Sequence, residues 1–170
     1  MKPWVYLVVL LLIIPIQASL LNPLSIGGIK PDIALAVLFI IGLITGPAEG
    51  AFAGMSIGLL QDIGSASLLG FTGLSRGMAG LLSGLLGRKV LDIDNPMIVL
   101  FLVALSVAEG IFTALFLQTT YGAVPFLSLL TGRIVPQALY TGLFGLLLLQ
   151  LVKKKNVITA LRRRELQKER

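Results

Sequence analysis

The chain has 170 residues, of which 56% are hydrophobic and 13% charged, and it contains neither cysteine nor histidine. A soluble domain of this length cannot hide so much apolar surface, so the composition predicts a protein embedded in lipid. The missing residue types exclude disulfides, thiolate chemistry and the commonest metal ligands. We expect no cofactor, no metal and no nucleic-acid partner.

Six apolar runs predict an all-α, polytopic membrane bundle of about six transmembrane helices. The runs cover residues 4–21, 33–45, 47–62, 68–87, 97–118 and 134–152. The first resembles a signal peptide, but Ile16 stands where cleavage after Ala18 needs a small residue, so we expect a retained helix. Residues 33–62 form either two short helices or one kinked helix. Gly46-Pro47 favours two, because proline suits the first turn of a helix.

Basic residues are concentrated at the C-terminus. Eight of the fourteen Lys and Arg residues lie in 153–170, after the last apolar run. The positive-inside rule then predicts a transmembrane domain over 1–152 and a cytoplasmic tail over 153–170, with both termini cytoplasmic. The same tail is expected to contact anionic lipids.

Two lines of glycine mark the third and fourth runs. The first line repeats every four residues and ends in a carboxylate, and the second alternates steps of three and four from Gly70 to Gly87. Small residues at such spacing let helices approach closely in lipid, so the two runs are expected to pack together. A dimer face or a docking face for a partner remains the alternative. The predicted packing or partner face is Gly46, Gly50, Gly54, Gly58, Asp62 and Gly70, with Asp62 as the expected point of partner contact.

Two matches to the Gly-x-Ser-x-Gly nucleophile motif, at 54–58 and 73–77, are interpreted as chance. That motif needs a strand-to-helix turn and a base, and the chain has no histidine. We expect no catalytic residue and no enzymatic activity.

Ionisable residues within the apolar runs are rare and predict an intramembrane charge network. Arg76 and Glu109 are expected to lie at similar depth near the bilayer midplane, with Asp62 as a third member. Glu49 falls in the first turn of its helix, where the helix dipole explains it. The network is either structural or a polar site for a small solute or for protons.

The segment Gly54–Asp62, followed by a Gly/Ser-rich turn and Leu69-Gly70, resembles the signature region of the MreD family of bacterial rod shape-determining membrane proteins. Lys30-Pro31-Asp32 resembles the start of the family's second helix, and Glu109 fits an acidic residue in its fifth. The resemblance covers the chain in length and hydropathy, and its distinctive part is residues 30–84.

Membership implies a non-enzymatic scaffold of the inner membrane that works with the bitopic protein MreC. Through it the chain is linked to MreB, RodA and a class-B transpeptidase in lateral peptidoglycan synthesis, and a homo-oligomer is possible. The family is thought to share the fold of the substrate-binding subunits of energy-coupling factor transporters. The alternative function is therefore a substrate-binding subunit for a vitamin or metal. Its usual Ala-x-x-x-Ala docking face is missing from the first run and occurs only at Ala104 and Ala108.

Overall fold

A computed structural model describes residues 25, 27–65, 70–89, 97–122 and 125–154. The regular elements of these residues are all helices, which confirms the all-α prediction. The predicted first span, 4–21, and residues 155–170 of the predicted tail lie outside the described residues. The helices are α1 (Ile33–Thr45), α2 (Pro47–Ser65), α3 (Phe71–Lys89), α4 (Met97–Tyr121) and α5, which runs through Phe126–Leu129, a π-helical segment Leu130–Ile134 and Val135–Lys154.

The break between α1 and α2 falls at Gly46. Its φ of 103° lies in the left-handed region that favours glycine. Its N–H donates to the Gly42 carbonyl at 2.9 Å, and Pro47 then opens α2. Residues 33–65 are therefore two helices, divided where the Gly-Pro pair predicts.

Two of the described helical stretches, Met97–Thr119 and Phe126–Leu151, are long and apolar enough to cross a membrane. Helix α1 has only 13 residues. Glycine and polar side chains lower the hydropathy of α2 and α3, although each has 19 residues. Membrane association is supported by length and composition alone, and the six-span arrangement is not confirmed.

Helix α1 lies at the centre of the described bundle and contacts the other four helices. Its side chains are apolar on nearly all sides, and Leu35, Leu38 and Phe39 are fully buried. A helix that is hydrophobic all round requires neighbours on every side. The other helices therefore surround α1.

The most extensive contact in the fold joins α2 and α3 along their glycine lines. An ideal Cβ on Gly58 would lie 2.5 Å from the Gly73 Cα, and one on Gly80 would lie 2.5 Å from the Gly50 carbonyl carbon. A Cβ on Gly54 would meet the Arg76 carbonyl in the same way. The glycines thus let two antiparallel backbones touch, and this face is occupied within the chain.

The opposite faces of this hairpin carry large exposed apolar side chains. On α2 they are spaced three or four residues apart, and on α3 they follow a similar helical spacing. They are Phe52, Met55, Leu59, Ile63, Leu74, Met78, Leu81, Leu82 and Leu85.

Candidate functional site: a buried ion-pair cluster beside a polar pocket

Arg76 occupies the sixth position of α3 and is 5% exposed. Its Nη2 donates to Oδ2 of Asp32 at 2.5 Å. Its Nε lies 3.4 Å from Oε1 of Glu109 in α4. One cation therefore joins carboxylates at the start of α1 and the middle of α4.

Asp32 is also the N-cap of α1. Its Oδ1 accepts a hydrogen bond from the Leu35 N–H at 2.9 Å, which satisfies one of the free donors of the first turn. Its own N–H donates to Oγ1 of Thr141 at 2.9 Å, and the Thr141 hydroxyl donates to the Gln137 carbonyl at 2.8 Å. Asp32 thus connects α1 to α3 and α5 at once.

The structure brings Arg76 and Glu109 together and adds Asp32 to the network, while Asp62, the expected third member, interacts with Arg76 electrostatically. Asp32, predicted only to start a helix, lies closer to Arg76 than Glu109 does. The signal for it was Pro31-Asp32 directly before an apolar helix, a usual N-cap position. Because Asp32 caps α1, the cluster joins the start of that helix to the middle of α4.

Asp62 has a structural role within the chain, and its expected contact with a partner stays a prediction. It is 1% exposed, and its Oδ2 accepts hydrogen bonds from the N–H groups of Gly70 at 2.8 Å and Gly73 at 3.3 Å. A carboxylate at the start of a helix pairs free N–H groups and complements the helix dipole. Asp62 therefore caps α3 across the turn. Gly70, with φ 97°, supplies the left-handed residue that this turn requires.

The remaining predicted site residues lie in α2, the first helix of the α2–α3 hairpin. Gly46, Gly50, Gly54 and Gly58 all lie at contacts with α1 or α3. Glu49 is exposed in the first turn of α2. The two Gly-x-Ser-x-Gly matches lie inside α2 and α3 and follow no strand, so neither has the geometry of a nucleophile elbow.

A pocket of about 360 Å³ adjoins the ion-pair cluster. It lies between α4, the first part of α5 and the starts of α1 and α3, so all its walls meet at the same end of the bundle. Four ionisable side chains line it, two acidic and two basic: Asp32, Glu109, Arg76 and Arg133. Hydroxyl and amide groups add polar lining, from Thr72, Ser106, Thr113 and Gln137.

The π-helical segment forms part of the pocket wall. It places Arg133 and Ile134 against α4, where Ile134 fits over Gly110 at a point that a Cβ would fill. π-Helical turns of this kind occur frequently at functional sites. The predicted sixth run, 134–152, begins after Arg133, so most of this wall lies outside it.

Two nitrogen atoms of Arg76 make no hydrogen bond. Nε and Nη1 are buried and have no hydrogen-bond partner among the described residues. A buried cationic donor without an acceptor is destabilising and uncommon, so it needs a specific explanation. Nε is compensated by the charge of Glu109 at 3.4 Å, whereas Nη1 is left without an acceptor inside the cluster.

Within the described ranges, no group of three or more acidic residues is placed to hold a metal ion. The acidic, basic, hydroxyl and amide side chains that line the pocket can bind a ligand through charge and hydrogen bonds.

Comparisons with protein-family models, with curated proteins and with solved structures found no match to this chain.

Proposed function

We propose that this chain is a non-enzymatic membrane scaffold of the MreD type, which maintains rod shape in a bacterial inner membrane. In this role it binds an MreC-like bitopic protein and, through it, MreB, RodA and a class-B transpeptidase. The proposal includes six spans with both termini in the cytoplasm and the basic tail against anionic lipid.

The observation that carries the proposal is the construction of the α2–α3 hairpin. The residues of the resemblance, Gly54, Gly58, Asp62 and Gly70, make the interhelical contact and cap the second helix. A close backbone contact and a buried carboxylate both favour a rigid unit. A rigid unit with apolar side chains on its outer faces is what a membrane scaffold requires.

Depletion of the protein in its own bacterial host tests this function. We expect rod-shaped cells to widen and round while growth continues, because lateral peptidoglycan synthesis loses its organisation. Restoration by wild-type protein provides the control. Unchanged cell width after complete depletion would contradict the scaffold role.

The polar pocket favours a second candidate, the substrate-binding subunit of a vitamin or metal transporter. Its lining of acidic, basic and hydroxyl side chains is typical of a site that binds a solute. Genome context separates the two candidates. A neighbouring gene for an MreC-like coiled-coil protein supports the scaffold, whereas genes for ATPases and a coupling subunit support transport.

A further inference from the structure

In a bundle embedded in lipid, helix α1 is too short to reach both hydrocarbon boundaries. Its 13 residues extend about 20 Å, whereas the hydrocarbon core is about 30 Å thick. A second estimate comes from α5, whose Thr141 hydroxyl accepts a hydrogen bond from the Asp32 N–H. The lysines at 153–155 mark one boundary, and Thr141 precedes them by twelve residues, or about 18 Å of helix. Both estimates place Asp32 about 10 to 12 Å inside the opposite boundary.

The pocket lies beyond the start of α1, and one face of α4 forms its long wall. The lining residues of α4 recur three or four residues apart, so they share a helical face. They are Ser106, Glu109, Gly110, Thr113, Ala114 and Leu117. The first and last are eleven residues apart, which is about 16 Å of helix. Leu129, Arg133 and Gln137, four residues apart, line the pocket from α5. The pocket is therefore a cleft that is long enough to reach the depth of Asp32.

Exposure increases along this cleft from its inner end to its mouth. At the inner end, Ser106 is 8% exposed and Arg76 is 5% exposed. Thr113 is half-buried, and Arg133 is exposed at the mouth. Nε and Nη1 of Arg76 have almost no accessible surface, so Arg76 closes the inner end of the cleft.

The lining of the cleft favours water over lipid chains. A volume of about 360 Å³ holds several water molecules, each of which occupies about 30 Å³ in the liquid. Glu109, Ser106, Thr113 and Gln137 supply the carboxylate, hydroxyl and amide partners that a buried water needs. Arg76 Nε makes no hydrogen bond to Glu109 at 3.4 Å, so the carboxylate retains room for water as a donor. An acyl chain in the same space would leave these polar groups unbonded, which is unfavourable.

We propose that this cleft is a water-filled vestibule that brings the aqueous phase to Glu109 inside the hydrocarbon layer. It opens at the end of the bundle where α4 ends and α5 begins. Asp32, Asp62 and Glu109 all interact electrostatically with Arg76, so the cluster has more carboxylates than cations. Water beside Glu109 reduces the cost of this buried charge. The inference requires only a bundle embedded in lipid, so it holds for either candidate function and for either orientation.

Cysteine accessibility tests the vestibule in native membranes, because the chain has no cysteine of its own. In the full-length protein, Ser106→Cys and Thr113→Cys each place a thiol in the cleft. A permanently charged thiol reagent that does not cross membranes is added from each side in turn. The matched control is Ala108→Cys, at the same depth in α4 and exposed in the isolated chain, but outside the cleft. Ser83→Cys, fully buried in α3, is a second control.

We expect Ser106→Cys and Thr113→Cys to react from the same side as Pro125→Cys, which reports the side on which α5 begins. Ala108→Cys and Ser83→Cys should react at least about tenfold more slowly, because a thiol reacts as its thiolate, which water stabilises and lipid does not. The comparison within α4 is decisive, since Ser106 is less exposed than Ala108 in the isolated chain.

A variant at the mouth tests the route of entry. Leu117 lines the outer part of the cleft, whereas Leu115 is exposed on α4 outside the lining. In the Ser106→Cys background, Leu117→Trp should slow the reaction because the larger side chain narrows the mouth. Leu115→Trp should leave the rate unchanged. Equal rates in these two variants would overturn entry through the mouth.

Three outcomes of the main experiment would overturn the vestibule. Reaction of Ser106→Cys and Thr113→Cys as slow as that of Ala108→Cys would show a dry cleft and would leave the scaffold proposal untouched. Reaction of both from the side opposite Pro125→Cys would place the opening at the wrong end of the bundle. Rapid reaction of Ala108→Cys as well would show α4 in water, which would contradict the membrane scaffold too.

Discussion

Arg76 and Asp32 are 44 residues apart in the sequence, yet Nη2 and Oδ2 lie 2.5 Å apart in the fold. Since Asp32 also caps α1 and bonds to Thr141, this pair connects three helices. The ion pair is therefore a determinant of how α1 sits against α3 and α5.

The first prediction concerns loss of the cation. Arg76→Met should lower the free energy of unfolding in detergent by about 3 to 5 kcal/mol, because it leaves Asp32 and Glu109 buried without their partner. Adding Asp32→Asn and Glu109→Gln should restore part of that loss. A triple variant no more stable than Arg76→Met would show that charge pairing is not the cause.

The second prediction concerns Asp62. Asp62→Ala should destabilise the protein by about 1 to 3 kcal/mol, since the N–H groups of Gly70 and Gly73 lose their acceptor. The neighbouring Ile63→Ala is the control, because Ile63 is 68% exposed. Thermal unfolding in detergent measures both variants. Wild-type stability in Asp62→Ala, with loss of partner binding only, would return Asp62 to the role of a partner contact.

The third prediction compares two glycines of one helix. Gly54→Ala places a Cβ against the Arg76 carbonyl and should separate α2 from α3, which lowers the amount of folded protein in the membrane. Gly64→Ala meets nothing within 4 Å and should be neutral or stabilising by up to about 1 kcal/mol, because alanine favours helix. Equal membrane levels of the two variants would argue against the close contact.

The fourth prediction concerns topology. The chain has no cysteine, so single cysteines report orientation without background. Cysteine at Pro125 should react with an impermeant reagent added outside the cell, and cysteine at Lys168 should react only after lysis. Labelling of both sites from outside would place the C-terminus on the wrong side for six spans.

The sequence predicts those parts of the fold that depend on local spacing. The glycine repeats predict a close contact between two neighbouring helices. Gly46-Pro47 predicts a helix break, because few residues other than glycine adopt the positive φ found at Gly46. Arg76 and Glu109 stand out because ionised residues are rare in apolar runs.

The parts that escaped prediction depend on contacts distant in sequence. The sequence predicts Asp32 as a helix cap, and only the fold shows that Arg76 donates a hydrogen bond to its carboxylate. The capping role of Asp62 was missed because the sequence does not show that the N–H groups of Gly70 and Gly73 donate to its carboxylate. Arg133 interrupts the hydropathy of α5, so the predicted run began at 134 and the pocket wall was missed.

The central claim is that the chain serves as a membrane scaffold for an MreC-like partner. Its most direct test is co-purification of the tagged full-length protein with the MreC-like protein of the same host, normalised to the amount of tagged protein in the membrane. The account predicts equal normalised recovery of that partner with wild type and with Gly64→Ala, and lower normalised recovery with Gly54→Ala, in which α2 and α3 are separated. Failure to recover any MreC-like partner with well-folded wild-type protein would contradict the account.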